Sequence, residues 1–339
     1  LYEASWLRYF AGTPFVPNGK GWPGAQKDYN KGYQYPSGSI ENEAIYFYKL
    51  AAESAQTVAD KYIGTLAVNT GKIPQSASDP QNPYFNIWGT TSCANTPEVL
   101  LWREYSRSLG VTNNIEVAVE NGNSGVGLTR SMVESYLMKD GKPIYASAYT
   151  YSDQTIADVA KDRDPRLTIF LKTPGQINYF KNVDDGRGDQ GKEIEPDEPK
   201  VYDHNGQKGY STGYAMRKGG LFDRTETINN GGTAVLVVFR ATEALLNYME
   251  AEYELTHNVN SGKIMEYWRA VRTAAGFTGK AIDPMTTINA TDMSKETSDW
   301  GSYSGGEQVD KYLYNIRRER RCEFIGEGLR WMDLQRWRS

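Results

Sequence analysis

Two histidines, His204 and His257, are all the imidazole chemistry this chain offers. Neither stands near a nucleophile signature, and no Gly-x-Ser-x-Gly is present. A His-based catalytic centre or a His-rich metal site is therefore not indicated. Cys93 and Cys322 are far apart and match no zinc or redox spacing, so they read as two buried free thiols, with a single bridge as the other reading. Gly19, Gly21 and Gly24 spell a Gly-x-Gly-x-x-Gly pattern, but no strand precedes them and Pro23 interrupts it. A dinucleotide fingerprint needs a strand before and a helix after. The acidic stretch from Asn182 to Asp189 lacks the register of an EF-hand loop. It reads as a solvated loop, and a structural calcium ion is the one cofactor for which it would offer donors. Carboxylates are plentiful, yet no glycosidase pair stands out among them.

What the sequence does offer is aromatic rings in polar loops. Trp22 comes with Tyr29, Tyr33 and Tyr35, Tyr84 with Trp88, Tyr145 with Tyr149 and Tyr151, and Trp300 with Tyr303. Each group is flanked by Gly, Asn, Ser or Gln. Flat ring faces stack on the C–H faces of sugar rings, and amides and hydroxyls beside them pair with sugar hydroxyls. Each atom contact contributes only ~0.1–0.2 kcal/mol, so several rings must act together. The candidate ligand-binding residues are Trp22, Tyr29, Tyr33, Trp88, Tyr145, Tyr149, Trp300 and Tyr303. The competing role for any one of them is to pin its loop to the scaffold. Composition agrees with a recognition surface: 24 Tyr outnumber 19 Leu, and Tyr supplies rigid contact area at low entropy cost.

The elements that must position these rings are mostly helical. Leu1 to Phe10 reads as the end of a helix. Residues 12–42 lose all periodicity. From Asn42, taken as an N-cap, Ile45, Tyr48, Ala52, Ala55, Val58 and Tyr62 recur at helical spacing. Residues 69–97 are a polar loop, Glu98 to Tyr105 is a short apolar run of strand or helix, and Asn113 to Gly127 is a Gly/Asn-rich linker. Thr129 to Met138 is helical and closes on Asp140-Gly141. Asp164-Pro165 sets an N-cap before a helix-starting proline. Residues 182–213 read as an exposed loop. Ala234 to Phe239 is an apolar run feeding a helix through Leu255, with Phe239, Leu246, Met249 and Tyr253 on one face. Ile264 to Ala275 is a shorter helix that pairs with it, and residues 276–309 are loop. Tyr312 to Trp337 is helical, broken by Gly326 and Gly328. Its Arg320–Glu323, Glu327–Arg330 and Asp333–Arg336 spacings predict (i, i+3) ion pairs on a structural helix, with Trp331 and Trp337 as packing residues.

The 339 residues carry a net charge of −4, which argues against a general nucleic-acid binder. No stretch approaches the ~20 apolar residues of a membrane span. No signal pattern opens the chain, and its mid-helix start suggests a piece of something longer.

Three segments resemble a known family. Val237 to Ala251 is similar to its "RYAE-x-x-L-x-x-AEA" helix, Asp162 to Leu167 to its "RDPRL", and Ile316 to Trp337 to its "RxERRxELAFEGxRxxDLxRW" signature. Leu1-Tyr2-Glu3 and Lys139 to Ile144 are weaker matches. Gly326 stands where the family usually has an aromatic, and Thr242 replaces an Ala. The chain thus resembles the SusD-like (RagB/SusD) nutrient-binding outer-membrane lipoproteins. The resemblance implies a mainly α fold, a tetratricopeptide-like helical scaffold with long loops and few short strands. It implies that residues 1–339 are the C-terminal portion of a single SusD-like domain, with the lipid anchor and early helix pairs lying before Leu1. It further implies a non-catalytic, lipid-anchored protein on the outer-membrane surface, which captures oligosaccharides for a SusC-like TonB-dependent transporter. An oligopeptide-binding member of the family is the alternative. The three motifs look structural, so no binding role is carried onto them.

Overall fold

The structure, a computed structural model, describes residues 1–16, 33–121, 127–183, 193–197 and 210–339. Its helices are α1 (Tyr2–Phe10), α2 (Ile40–Tyr62), α3 (Pro83–Asn86), α4 (Ile115–Asn121), α5 (Arg130–Ser135) and α6 (Ile156–Ala160). They continue as α7 (Pro165–Phe170), α8 (Ala241–Thr256), α9 (Ile264–Ala274), α10 (Pro284–Ala290), α11 (Lys311–Glu323) and α12 (Arg330–Trp337). The strands are β1 (Val99–Arg103), β2 (Ile177–Tyr179), β3 (Glu193–Ile194), β4 (Leu236–Arg240), β5 (Tyr303–Ser304) and β6 (Glu307–Gln308). They form two-stranded antiparallel sheets, β1 with β4, β2 with β3 and β5 with β6. The fold is mainly helical with few short strands, as expected.

Two compact units share the chain. The first is Leu1–Ile63, Thr242–Trp268 and Thr291–Ser339. Here α1 packs on α2 and α12. Leu7, Val16, Tyr35 and Ala44 form an apolar cluster, covered by Trp6, Phe10, Ile40 and Phe47. The helix α2 starts two residues before Asn42. Its cap is Ser39, whose hydroxyl accepts from the Asn42 amide at 3.1 Å, and short hydroxyls suit that position. Gly326 and Gly328 break α11 from α12 with φ of 73° and 80°, a conformation that costs glycine little.

Much of this unit's interior is ionic, and the family-like segments supply it. Glu250 of α8 is fully buried and accepts from both terminal nitrogens of Arg336, at 2.7 Å for Nη2, and from the Trp337 indole at 2.6 Å. Arg336 also donates to Asp333 and to the Ser5 hydroxyl, both at 2.9 Å. Asp333 accepts from Arg320 at 2.8 Å, and Arg320 reaches Asn247 at 2.7 Å. Of the expected (i, i+3) contacts, Asp333–Arg336 forms, while Arg320 and Arg330 hold acids further away in sequence. The segment is a helix-to-helix tie inside the fold, consistent with its structural reading.

Burial disfavours the Glu250 charge, but Arg336, Arg317 and Arg320 outweigh it and lower its pKa from the ordinary 4.5 to about 2. The folded pKa lies below the unfolded one. Its contribution, on the order of 3 kcal/mol, is therefore complete above about pH 4.5 and drains away as pH falls toward 2. We expect the melting temperature to hold from pH 7 to 5 and to drop steeply between pH 4.5 and 2.5. A flat profile across that window would count against the assignment.

The second unit is Gly64–Ala241 with Arg269–Ala290. Glu98 and Arg240 form a buried pair at 3.0 Å at one end of the β1–β4 ribbon, and Glu98 also accepts from the Ala67 amide at 2.8 Å. The Glu98–Tyr105 run is thus a strand, and so is most of the apolar run from Ala234. On that strand Phe239 is 52 % exposed, not part of a buried helix face. The ribbon also leaves Leu101, Leu236 and Val238 exposed.

Asp164 caps α7 by accepting from the Arg166 amide at 2.9 Å, and its carboxylate grips the Arg166 guanidinium at 3.0 and 2.8 Å. The neighbouring Arg163 is spent on carbonyls of Val133, Tyr136 and Val159 at 2.6–3.1 Å. Thr129 caps α5 through the Met132 amide, and the helix expected to run to Met138 ends at Ser135. The expected linker at 113–127 instead contains α4. Its Glu116 is buried and accepts from the Leu221 amide at 2.8 Å. The expected loop at 276–309 likewise holds α10 and the β5–β6 hairpin. Both cysteines are free and buried, and burial pushes the Cys93 thiol up to about 11.

Candidate ligand-binding site

The eight rings singled out by sequence do not share one environment. Trp22 and Tyr29 lie outside the described residues. Tyr33, Trp300 and Tyr303 belong to the first unit, and Trp88, Tyr145 and Tyr149 to the second. Tyr33 is 39 % exposed and meets the buried Tyr35 edge-on at 5.2 Å. Tyr145 is half-buried. Tyr149 is 38 % exposed, with its amide on the Ser147 hydroxyl at 3.0 Å. The adjacent Tyr151 is half-buried under the Arg163 guanidinium, 5.0 Å from its ring centre.

Trp88 is buried, with 7 % exposure. Its ring meets Tyr84 and Phe170 edge-on at 5.6 Å each, and the Lys218 ammonium sits 3.7 Å from its ring centre. It has no open face for a sugar, because the polar loop around it folds over an aromatic cluster that includes Phe85 and Phe222. We expect Trp88→Ala to cost about 3–5 kcal/mol of stability, as large core truncations do. Chemical denaturation should show this directly, and a loss under about 1 kcal/mol would refute the packing role.

Trp300 is the opposite case, 67 % exposed on a short turn between Asp299 and Tyr303. The turn is stiff. The buried Asp299 carboxylate accepts from the Gly301 amide at 2.9 Å, and its carbonyl accepts from the Ser302 amide and hydroxyl at 2.9 and 2.7 Å. The same carboxylate holds Arg330 at 2.6 Å and Arg321 at 3.0 Å. Burial opposes its charge, but the two guanidiniums prevail and keep its pKa below the usual value. A side chain at Gly301 would come within 3.2 Å of Asp299 and 3.3 Å of Arg330, so glycine allows this close packing.

The hairpin that follows is equally fixed. Gly305 and Gly306 both take positive φ, 64° and 92°, as a tight two-residue hairpin turn demands. Arg317 donates to the carbonyls of Gly301 and Tyr303 and to the Ser304 hydroxyl at 3.0–3.3 Å. The Gly305 amide donates to the Arg338 carbonyl at 2.9 Å.

The Asp299–Arg330 pair sets the Trp300 turn against the start of α12, and the next residue there is Trp331. It is 69 % exposed, although its place on a helix had suggested packing. Sequence reasoning missed it because a helical position says nothing about which way the helix faces. Trp337, on the same helix, is fully buried. Trp300 and Trp331 thus present indole surface on a rigid, ion-paired base, with the half-buried Tyr303 three residues on. Arg330 and Arg321 are both engaged by Asp299, which favours the charged form of its carboxyl. Among the described residues no group of three or more His, Cys, Asp or Glu could hold a metal. The Asn182–Asp189 stretch considered for calcium lies largely outside the described residues, as does His204.

The sequence from residue 99 to 339 matches the model of the SusD family. The chain belongs to the SusD family. A solved protein, BT4246, is 15 % identical, with 99 % of this chain and 58 % of that one covered and a TM-score of 0.57. A SusD-like protein from Bacteroides fragilis is 20 % identical, with 89 % and 55 % covered and a TM-score of 0.50. These two share the fold. Surface glycan-binding protein A from Bacteroides thetaiotaomicron is 17 % identical over 88 % and 52 %, with a TM-score of 0.38. The chain spans a little over half the length of these SusD-like structures. No match was found among curated proteins. The three family-like segments now have a physical account in this SusD-family chain. Each supplies buried ion pairs or carbonyl contacts that join separate elements.

Proposed function

We propose that this SusD-family chain is a non-catalytic, cell-surface glycan-binding protein. It captures oligosaccharides and delivers them to a SusC-like TonB-dependent transporter of the outer membrane, to which a lipid anchor keeps it close. The observation that carries the reading is Trp300, an exposed indole on a turn locked by Asp299, Arg321 and Arg330, together with the exposed Trp331, which follows Arg330 on α12. A turn held this rigidly loses little backbone freedom when its ring stacks against a sugar. No described helix is long and apolar enough to cross a membrane. Affinity electrophoresis and calorimetry against a panel of polysaccharides test the reading. Retarded migration in at least one glycan is expected, and indifference to all of them overturns it. Co-purification with the transporter from outer membranes tests the delivery role.

An oligopeptide-binding role is the second reading, favoured by one feature. The β1–β4 ribbon has only two strands and exposes Leu101, Leu236, Val238 and Phe239. A peptide strand could add to such an edge. Binding of peptides with failure of every glycan would select it.

A further inference from the structure

The second unit contains an open cleft of roughly 500 Å³, within the ~300–1,000 Å³ range of small-molecule sites. One wall is the segment from Gln81 to Thr96, which carries Asn86, Thr90, Thr91, Ser92, Asn95 and Thr96 into it. The facing wall brings Lys181, Asp223 and Glu226. Among the described residues, Leu221 is its one aliphatic lining residue and no aromatic side chain lines it.

The walls are preformed. The Asn82 amide oxygen caps α3 and its nitrogen donates to the Asn69 side chain at 2.8 Å. The Thr90 carbonyl accepts from the Val235 amide at 2.9 Å. Gly89 lies so close to the opposite backbone that a Cβ there would meet the Gly220 carbonyl oxygen at 2.7 Å. The charges are balanced in place. Glu226 holds Arg107 at 2.6 Å and the Thr233 hydroxyl at 2.8 Å. Asp223 accepts from Asn182 at 2.8 Å and from the Thr225 amide and hydroxyl at 2.9 and 2.7 Å. The side chains of Thr91, Asn95 and Thr96 carry no hydrogen-bond partner among the described residues.

We infer that this cleft binds a neutral, polyhydroxylated ligand, a short saccharide held by hydrogen bonds rather than by stacking. Hydroxyls and amides both donate and accept, which matches a ring of sugar hydroxyls. A hydrophobic ligand would find almost no apolar wall. An anion would face Asp223 and Glu226, and a cation would face Lys181. Because hydrogen bonds exchange with water at small net gain, affinity for one or two rings falls in the weak, millimolar range. The site goes beyond the Trp300 reading and does not depend on it.

The test is saturation-transfer NMR and calorimetry with cellobiose, maltose and lactose, and with glucuronate as the anionic control. The proteins are the wild type, the Thr91→Val/Asn95→Ala double variant, Asn95→Asp and Trp300→Ala. Thr91 and Asn95 are exposed, so both cleft variants keep the fold. At least one disaccharide should bind the wild type and lose about tenfold or more in both cleft variants, while Trp300→Ala retains it. The inference is overturned if no disaccharide binds, if the cleft variants bind as the wild type does, or if glucuronate binds better than the neutral sugars. Failure of the Trp300 reading is seen separately, as polysaccharide affinity untouched by Trp300→Ala.

Discussion

Replacing Arg336 by methionine is expected to cost about 3–5 kcal/mol of folding stability, because it strands a buried carboxylate. Glu250 has no exposure and takes both terminal guanidinium nitrogens of Arg336. Asp333 shares that guanidinium at 2.9–3.0 Å, and the Ser5 hydroxyl accepts from it. The guanidinium carbon also lies 4.7 Å from the Trp337 ring centre. Methionine keeps the packing volume and removes every one of these donors. Glu250 would retain the Trp337 indole as a neutral donor and the electrostatic influence of Arg317 and Arg320, but would lose its direct ion pair. Against a typical total of about 5–15 kcal/mol, such a loss is a large fraction. The companion variant Glu250→Leu/Arg336→Met should recover much of it, since removing both charges leaves nothing stranded. Urea denaturation at pH 7 measures both. A single-variant loss below about 1 kcal/mol would show that the network does not hold the helices together.

Trp300→Ala is expected to weaken glycan binding by about 1–3 kcal/mol, roughly tenfold to a hundredfold, the range of an aromatic hot spot. It should leave stability within about 0.5 kcal/mol, because the indole is largely exposed and the turn beneath it is held by Asp299 rather than by the ring. Calorimetry with the best glycan of the panel gives the first quantity and denaturation the second. Trp331→Ala should act in the same direction. Undiminished affinity in Trp300→Ala would remove this surface from the binding role. A lost fold would mean that the ring is structural after all. The contrast with Trp88→Ala is the informative part, since that variant should lose stability through the core.

Trp88 and Trp331 also show where sequence reasoning stops. One stands in a polar, proline-rich stretch and is buried; the other stands on a helix and is exposed. Neither environment is legible locally, because burial depends on which distant surface arrives. For Trp88 that surface is Phe170 and Lys218. The ion pairs behave alike. Asp333–Arg336 was readable from its three-residue spacing, whereas Arg330 answers to Asp299, which is far away in sequence. The helix α4 went unseen because Asn and Gly surround it; it packs its Glu116 under Leu221, a contact no local pattern encodes.

By itself, the sequence determined the features that depend on residues within about four positions of each other. These are the periodic face of α2, the Leu246, Met249 and Tyr253 face of α8, the Asp164 cap and the glycine break between α11 and α12. It also carried the family, because the long Arg/Glu signature is contiguous. Only the tertiary structure decided which rings face water, which charges pair across elements and where a polar cleft opens. Those outcomes follow from surfaces brought together over separations of about thirty to well over a hundred residues, as when Asp299 meets Arg330 and Glu98 meets Arg240. There, desolvation and packing outweigh any local preference.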